Sequence, residues 1–332
     1  MKKYLFFIAL AVLFSSCEKE YFEAELQSTD PFTNFEYLWS ECDKKYSYFT
    51  LKNVDWIGVK SKYESKLFVG MSQDSLFNVL SAMLNELKDD HVNLVSNFKT
   101  SFYGNKYQYQ QNFNWRSIVD NYISPNYMIT GAFKHNFLDS NQLGYIRLAT
   151  FSEVINENQL NYILSKYKNT KGIILDLREN GGGKIENAYK LLRRFIGEET
   201  IVQYTRIKTG AEHNNFSNPK SVSLKPYNGI KYTKKVVVLI DAGTFSAASL
   251  FALNTKAFSN ITLLGNKTGG GLGMPNGGQL PNGWYYRFSV TQTLDLQQSP
   301  NQENGVTPDI EVQIDWNNLN KDEVLEEAIN QF

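Results

Sequence analysis

Residues 236–275 read VVVLIDAGTFSAASLFALNTKAFSNITLLGNKTGGGLGMP. The β-branched run at 236–240 predicts a buried strand, and Asp241, Ala242 and Gly243 predict the turn that ends it. Ser246 then opens a helix-like segment, and a second apolar run, 261–264, ends in glycines. A serine at a strand-to-helix turn exposes its hydroxyl beside backbone N–H groups. Those groups, with the helix dipole, can hold a developing oxyanion. Ser246 is therefore a candidate nucleophile. An ordinary N-cap serine is the plain alternative. Ala247 and Ala248 are small enough for tight packing of a helix on a sheet, and Ser249 reads as a packing or capping residue.

Strand, turn and helix alternate outward from this stretch. Upstream, 144–148 (GYIRL) and 173–177 read as strands, 156–167 and 185–196 as helices, and 180–183 as a glycine turn. A hairpin region at 201–207 and a polar loop at 209–219 follow. Downstream, 284–290 alternates as a strand and 322–331 reads as a terminal helix. The alternation through 144–265 indicates an α/β domain. From Pro31 to about Phe98 the spacing is helical, with Phe35, Leu38, Trp39 and Cys42 on one face and Ser72 marking a helix start. That region runs into Asp89-Asp90-His91, where 92–95 begins to alternate like a strand. The chain thus divides into an N-terminal helical region (32–98), an aromatic-rich connecting segment (99–140) and an α/β core (141–332). The aromatic stretch 103–115 either lines a groove or packs a small sheet.

The 332 residues carry 34 Lys plus Arg and 34 Asp plus Glu, a balance that excludes a basic nucleic-acid footprint. Apolar residues at 42% support a sizeable core. Lys2 and Lys3 precede an apolar run at 4–14 and then Ser15, Ser16 and Cys17, the layout of a secretory signal (1–16). The small residues before Cys17 resemble a bacterial lipobox, which implies lipidation at Cys17, a polar tether (17–31) and anchoring to the membrane. Ordinary cleavage beside an incidental cysteine is the alternative. Glu18-Lys19-Glu20 resembles the tethers of surface-exported lipoproteins in Bacteroidetes-type bacteria, so the expected place is the cell envelope, on the periplasmic or outer face. Cys42, the second cysteine, reads as a core residue. The spacing of potential ligands gives no metal site, and nothing calls for a cofactor.

Residues 173–183 read IILDLRENGGG. Asp176 and Arg178 can pair at the strand end, and Gly181, Gly182 and Gly183 permit close backbone approach and an anion-binding nest. The segment resembles the D-L-R-x-N-x-G-G signature of the C-terminal-processing, or tail-specific, serine peptidases. Thr244-Phe245-Ser246-Ala247 resembles their nucleophile motif. Gly265-Asn266-Lys267-Thr268-Gly269-Gly270, Leu280-Pro281-Asn282-Gly283 and Gly305-Val306-Thr307-Pro308-Asp309-Ile310 match three further family stretches in order. The resemblance implies a crotonase/ClpP-like core of spiral βαβ units and hydrolysis of peptide or protein substrates by acyl transfer. It also implies an oxyanion hole from Ala247 and from Gly181 or Gly182.

One departure decides the chemistry. The processing branch pairs its serine with a lysine, and Gly271 stands at that lysine's position. Another base is required. His91 resembles the D-x-H element of the family's tricorn-like branch, which uses a serine, a histidine and an acid. Neutral imidazole suits the role near neutral pH. His213 lies in a polar loop and reads as solvated; His135 has no motif around it. Glu303, just before the Gly305–Ile310 motif, is the expected acid, with Asp90 as its rival. Only about 50 residues separate His91 from Gly144, too few for the PDZ module that processing peptidases carry there. A non-catalytic peptide- or hydrophobe-binding lipoprotein on the same scaffold is the competing reading, since the family also resembles retinoid-binding proteins.

Overall fold

The computed structural model describes residues 27–104 and 109–332. The expected signal segment and lipidation at Cys17 lie outside the described residues.

A seven-stranded sheet forms the centre. Its order runs Ile310–Glu311, Ile261–Gly265, Lys235–Ile240, Gly172–Asp176, Leu143–Leu148, Phe133–Leu138 and Met128–Thr130. The first five strands are parallel and the last two form an antiparallel hairpin at one edge. The inner strands are continuously apolar because both of their faces are covered. Val236, Val238 and Ile240 pack with helices Glu157–Tyr167, Ile185–Leu192 and Ala247–Thr255. Val237 and Leu239 face the opposite way, toward helix Glu323–Asn330 and Ile118 of helix Trp115–Ile118. Helix Ala247–Thr255 is buried along its whole length, so it carries no polar stripe. The α/β core with parallel strand-helix units is the architecture the sequence led us to expect.

The N-terminal helices start where the sequence places their caps. Asp30 accepts from Thr33 N–H before Pro31–Lys45, Asp55 from Gly58 N–H before Trp56–Glu64, and Ser72 from Ser75 N–H before Gln73–Asn85. Cys42 is fully buried among them. Their core is not self-contained: Leu280, Trp284, Tyr286 and Phe288, from far down the chain, pack into it. A four-stranded antiparallel sheet makes the join, in the order Pro275–Gln279, Tyr285–Ser289, Asn93–Val95, Thr100–Phe102. Leu94 pairs with Tyr286. The sequence marks 92–95 and 284–290 as strands but not their pairing, and this sheet sets the position of the His91 segment. A third sheet joins Thr291–Leu294, Thr200–Ile207 and Lys220–Leu224. No helix among the described residues is long and apolar enough to cross a membrane.

Candidate active site

Strand Lys235–Ile240 ends in a turn locked by Asp241. Its Oδ1 accepts from Thr244 N–H (2.9 Å) and from Glu179 N–H (2.8 Å), and the Thr244 hydroxyl donates to Leu177 O (2.9 Å). The nucleophile turn is thereby stitched to the glycine turn of the neighbouring strand. Phe245 N–H donates to Asn180 O and Ser246 N–H to Gly270 O, each at 2.9 Å. These contacts hold Ser246 at φ 55°, ψ −121°, a region hostile to residues with a Cβ. The serine hydroxyl makes no cap hydrogen bond, so the plain N-cap alternative does not apply.

The Ser246 hydroxyl instead meets His91. Oγ and Nε2 stand 3.0 Å apart, although 155 residues separate them. That is hydrogen-bond reach for proton transfer. Buried Asp89 fixes the segment: its Oδ1 accepts His91 N–H (2.8 Å), while Oδ2 accepts the Ser289 hydroxyl (2.8 Å) and the Tyr46 hydroxyl (3.1 Å). The His91 ring also packs on Phe245, with centroids 5.0 Å apart.

The expected oxyanion donors divide. Gly182 N–H is committed to Asn180 Oδ1 at 2.9 Å, which removes it as a donor. Gly181 and Ala247 N–H donate to no acceptor among the described residues. Gly182 serves the site differently. With φ at +93°, a Cβ there would come within 2.6 Å of Phe245 O and 2.9 Å of Ala247 N, so only glycine lets the two turns close.

Glu303 lies beneath the loop at 271–273. Its Oε2 accepts from Leu272 N–H (2.6 Å) and Gly273 N–H (2.9 Å), and its backbone carbonyl accepts from Gly271 N–H (3.1 Å). One carboxylate oxygen is therefore committed to the loop wall. Burial, then the charge of Asp89, pushes its pKa up to about 7. Asp90 lines the cleft beside His91 and also borders a small polar cavity that Glu303 shares. At Gly271, where a lysine base would stand, φ is +70° and an added Cβ would run into the Phe245 ring. The space such a lysine would need is filled.

The cleft above the serine has a volume of about 660 Å³. Ile185, Phe245, Leu250, Leu272, Met274 and Pro275 give it an apolar lining, with Lys184, Glu186 and Arg287 at its margin. No group of three or more His, Cys, Asp or Glu among the described residues is arranged to hold a metal.

Residues 142–312 match the profile described as Peptidase family S41. The chain belongs to peptidase family S41. Residues 29–85 of this S41 chain match the Tricorn protease C1 domain. A candidate peptidase from Parabacteroides merdae ATCC 43184, solved by crystallography, is 36% identical, with a TM-score of 0.86 over 92% of this chain and 97% of that one. Mature CPAF shares the fold, with a TM-score of 0.67 at 12% identity over 91% of this chain and 95% of that one. The carboxy-terminal processing protease CtpA of Bacillus subtilis (strain 168) is 28% identical over 178 residues, 53% of this chain and 36% of its own. The match thus spans about a third of that relative's length.

Among the other histidines of the S41 chain, His135 is buried between the Thr130 hydroxyl (2.9 Å) and the Tyr167 hydroxyl (2.8 Å). Burial lowers its pKa to about 4, as suits a structural, neutral imidazole. His213 is not fully solvated as expected: it stacks on Phe49 at 4.1 Å and meets Asp43 Oδ1 at 2.9 Å. Ser249 packs as expected, donating to Thr244 O. Sequence reading gave Asp241 only a place in the turn and assigned no role to Asp89 or Asn180. Asp241 carries an available signal, an Asp directly after a buried strand with Thr three residues on, which is an Asx-turn pattern. Asp89 carries one as well, as the first residue of the D-x-H element.

Proposed function

We propose that this chain is a serine peptidase that works through Ser246, His91 and a carboxylate. The 3.0 Å contact between Ser246 Oγ and His91 Nε2 carries the reading. His91 takes the hydroxyl proton as Oγ attacks a peptide carbonyl, and the oxyanion is held by the N–H groups of Gly181 and Ala247. Protonated His91 then gives its proton to the leaving amine. Water, activated by the same imidazole, hydrolyses the acyl-enzyme.

Glu303 is the acid we assign. Its position supports an indirect role, in which the ionised carboxylate holds the 271–273 wall against the serine–histidine pair. Asp90 is the second carboxylate at the site, and Glu303→Gln and Asp90→Asn separate the two. The substrate is a peptide or protein, and the cleft lining, part apolar and part polar, can seat side chains of either kind beside the scissile bond. The residues from Lys2 to Cys17 support a lipid-anchored envelope protein, on the periplasmic or outer face of the outer membrane.

Fluorophosphonate labelling tests the mechanism. Wild type is expected to label at one site, Ser246→Ala not at all, and His91→Ala slower by about 10⁴-fold or more. A folded wild-type protein that takes no label would leave the binding-lipoprotein reading in its place.

A further inference from the structure

We infer that Lys52 is a positioning residue for this site: its ammonium favours the ionised form of Glu303, and ionised Glu303 keeps the 271–273 wall of the cleft in place. The inference rests on the peptidase reading above.

Two carboxylates are buried behind His91, Asp89 at 2% exposure and Glu303 at 3%. Asp89 is fully engaged by His91 N–H and the hydroxyls of Tyr46 and Ser289. Glu303 uses Oε2 for the two loop amides, and its Oε1 has the Lys52 ammonium at 4.0 Å. No other cation among the described residues comes within 4.0 Å of either carboxylate. Lys52 is held for this task. It ends helix Phe49–Lys52, its side chain is only 11% exposed, and it donates to Lys88 O at 2.9 Å.

The groups nearest Glu303 other than Lys52 work against its charge or are neutral. Asp89 repels it, and the phenols of Tyr46 and Tyr48 are held protonated by burial. Lys88 and Asp90 border the same polar cavity of about 120 Å³ and bring charges of opposite sign. Without Lys52, two buried anions confront each other and Glu303 holds its proton to a higher pH. A neutral carboxyl is the weaker acceptor for two amides. The wall that carries Leu272 and Gly273 then slackens.

The rate of fluorophosphonate labelling, measured from pH 5 to 9, tests this. Lys52→Gln removes the charge but keeps a donor for Lys88 O. Its acid limb is expected to move up by about one unit or more. Lys52→Arg should restore the wild-type profile, and Lys52→Gln should add no shift in a Glu303→Gln background. A Lys52→Gln profile that superimposes on wild type overturns the proposal, as does a full shift in the Glu303→Gln background. Urea unfolding over the same pH range reads the coupling without catalysis. The pH window in which stability falls should extend upward by the same amount in Lys52→Gln. If wild type takes no label but this window moves, the peptidase reading fails and the Lys52–Glu303 coupling stands. If it does not move, the coupling fails whatever the labelling shows.

Discussion

Ser246 occupies a backbone conformation that costs free energy for any side chain, about 1–3 kcal/mol at comparable sites. Replacing it by glycine should therefore abolish labelling and yet raise stability by about 1 kcal/mol in urea unfolding. Ser246→Ala, which keeps the Cβ, should show the first effect without the second. At Gly271 the expectation is reversed. Gly271→Lys supplies the amine of the processing branch, but its Cβ meets Phe245 and its φ of +70° disfavours any Cβ. Loss of stability and no rescue of a His91→Ala protein are expected, measured by melting temperature and labelling rate.

Two buried groups titrate in opposition. Glu303 is raised to about 7, so the folded protein binds more protons than the unfolded chain from about 4.5 upward. Stability from this group falls as pH rises through that window. His135 is lowered to about 4, so there the unfolded chain binds the extra proton, and stability is lost as pH falls from about 6.5. Subtracting the Glu303→Gln unfolding curve from wild type should isolate a fall on the order of 3 kcal/mol between pH 4.5 and 7. Ser246 and His91 were legible because their cues lie in short contiguous segments. The orientation of Glu303 was not, because its surroundings come from Lys52, Asp89 and the adjacent pair Leu272 and Gly273, three separate places in the chain.

At the scale of elements, the pair Asp176 and Arg178 does more than fix a turn. Arg178 is buried and also binds Asp322, whose side chain caps helix Glu323–Asn330. Tyr145 donates to Asp176 at 2.8 Å. The strand bearing the glycine turn is thus latched to the last helix. Arg178→Met takes the cation from buried Asp322, leaves buried Asp176 only the more distant Arg147 (3.9 Å), and should cost about 3–5 kcal/mol, read by urea unfolding. The parallel strands were readable because burial on both faces leaves unbroken apolar runs. In the four-stranded sheet 92–95 and 284–290 were readable, but their pairing and the other two strands were not. Asn93–Val95 has only three residues, and Pro275–Gln279 reads Pro-Asn-Gly-Gly-Gln, without β-branched alternation.

Taken whole, the molecule divides its chemistry between two cores. Ser246, Gly181 and Ala247 belong to the α/β core, and His91 belongs to the region packed on the N-terminal helices. Their registration depends on the small sheet between them. Arg287→Pro would remove the N–H of the residue that pairs with Asn93, and it should lower the labelling rate more than the melting temperature. Equal loss of both would place the effect in general unfolding instead.

That sheet also has a consequence for biosynthesis. The strand next to His91 finds its partner about 190 residues later, at Tyr285–Ser289. While the chain is still being made, the serine and its turn can be complete when the strand beside His91 has only its near neighbour Thr100–Phe102 to pair with. The contact between Ser246 and His91 is thereby deferred until synthesis is well into the last third of the chain. A ribosome-released fragment ending before Tyr285 should remain silent toward fluorophosphonate even though it contains both Ser246 and His91.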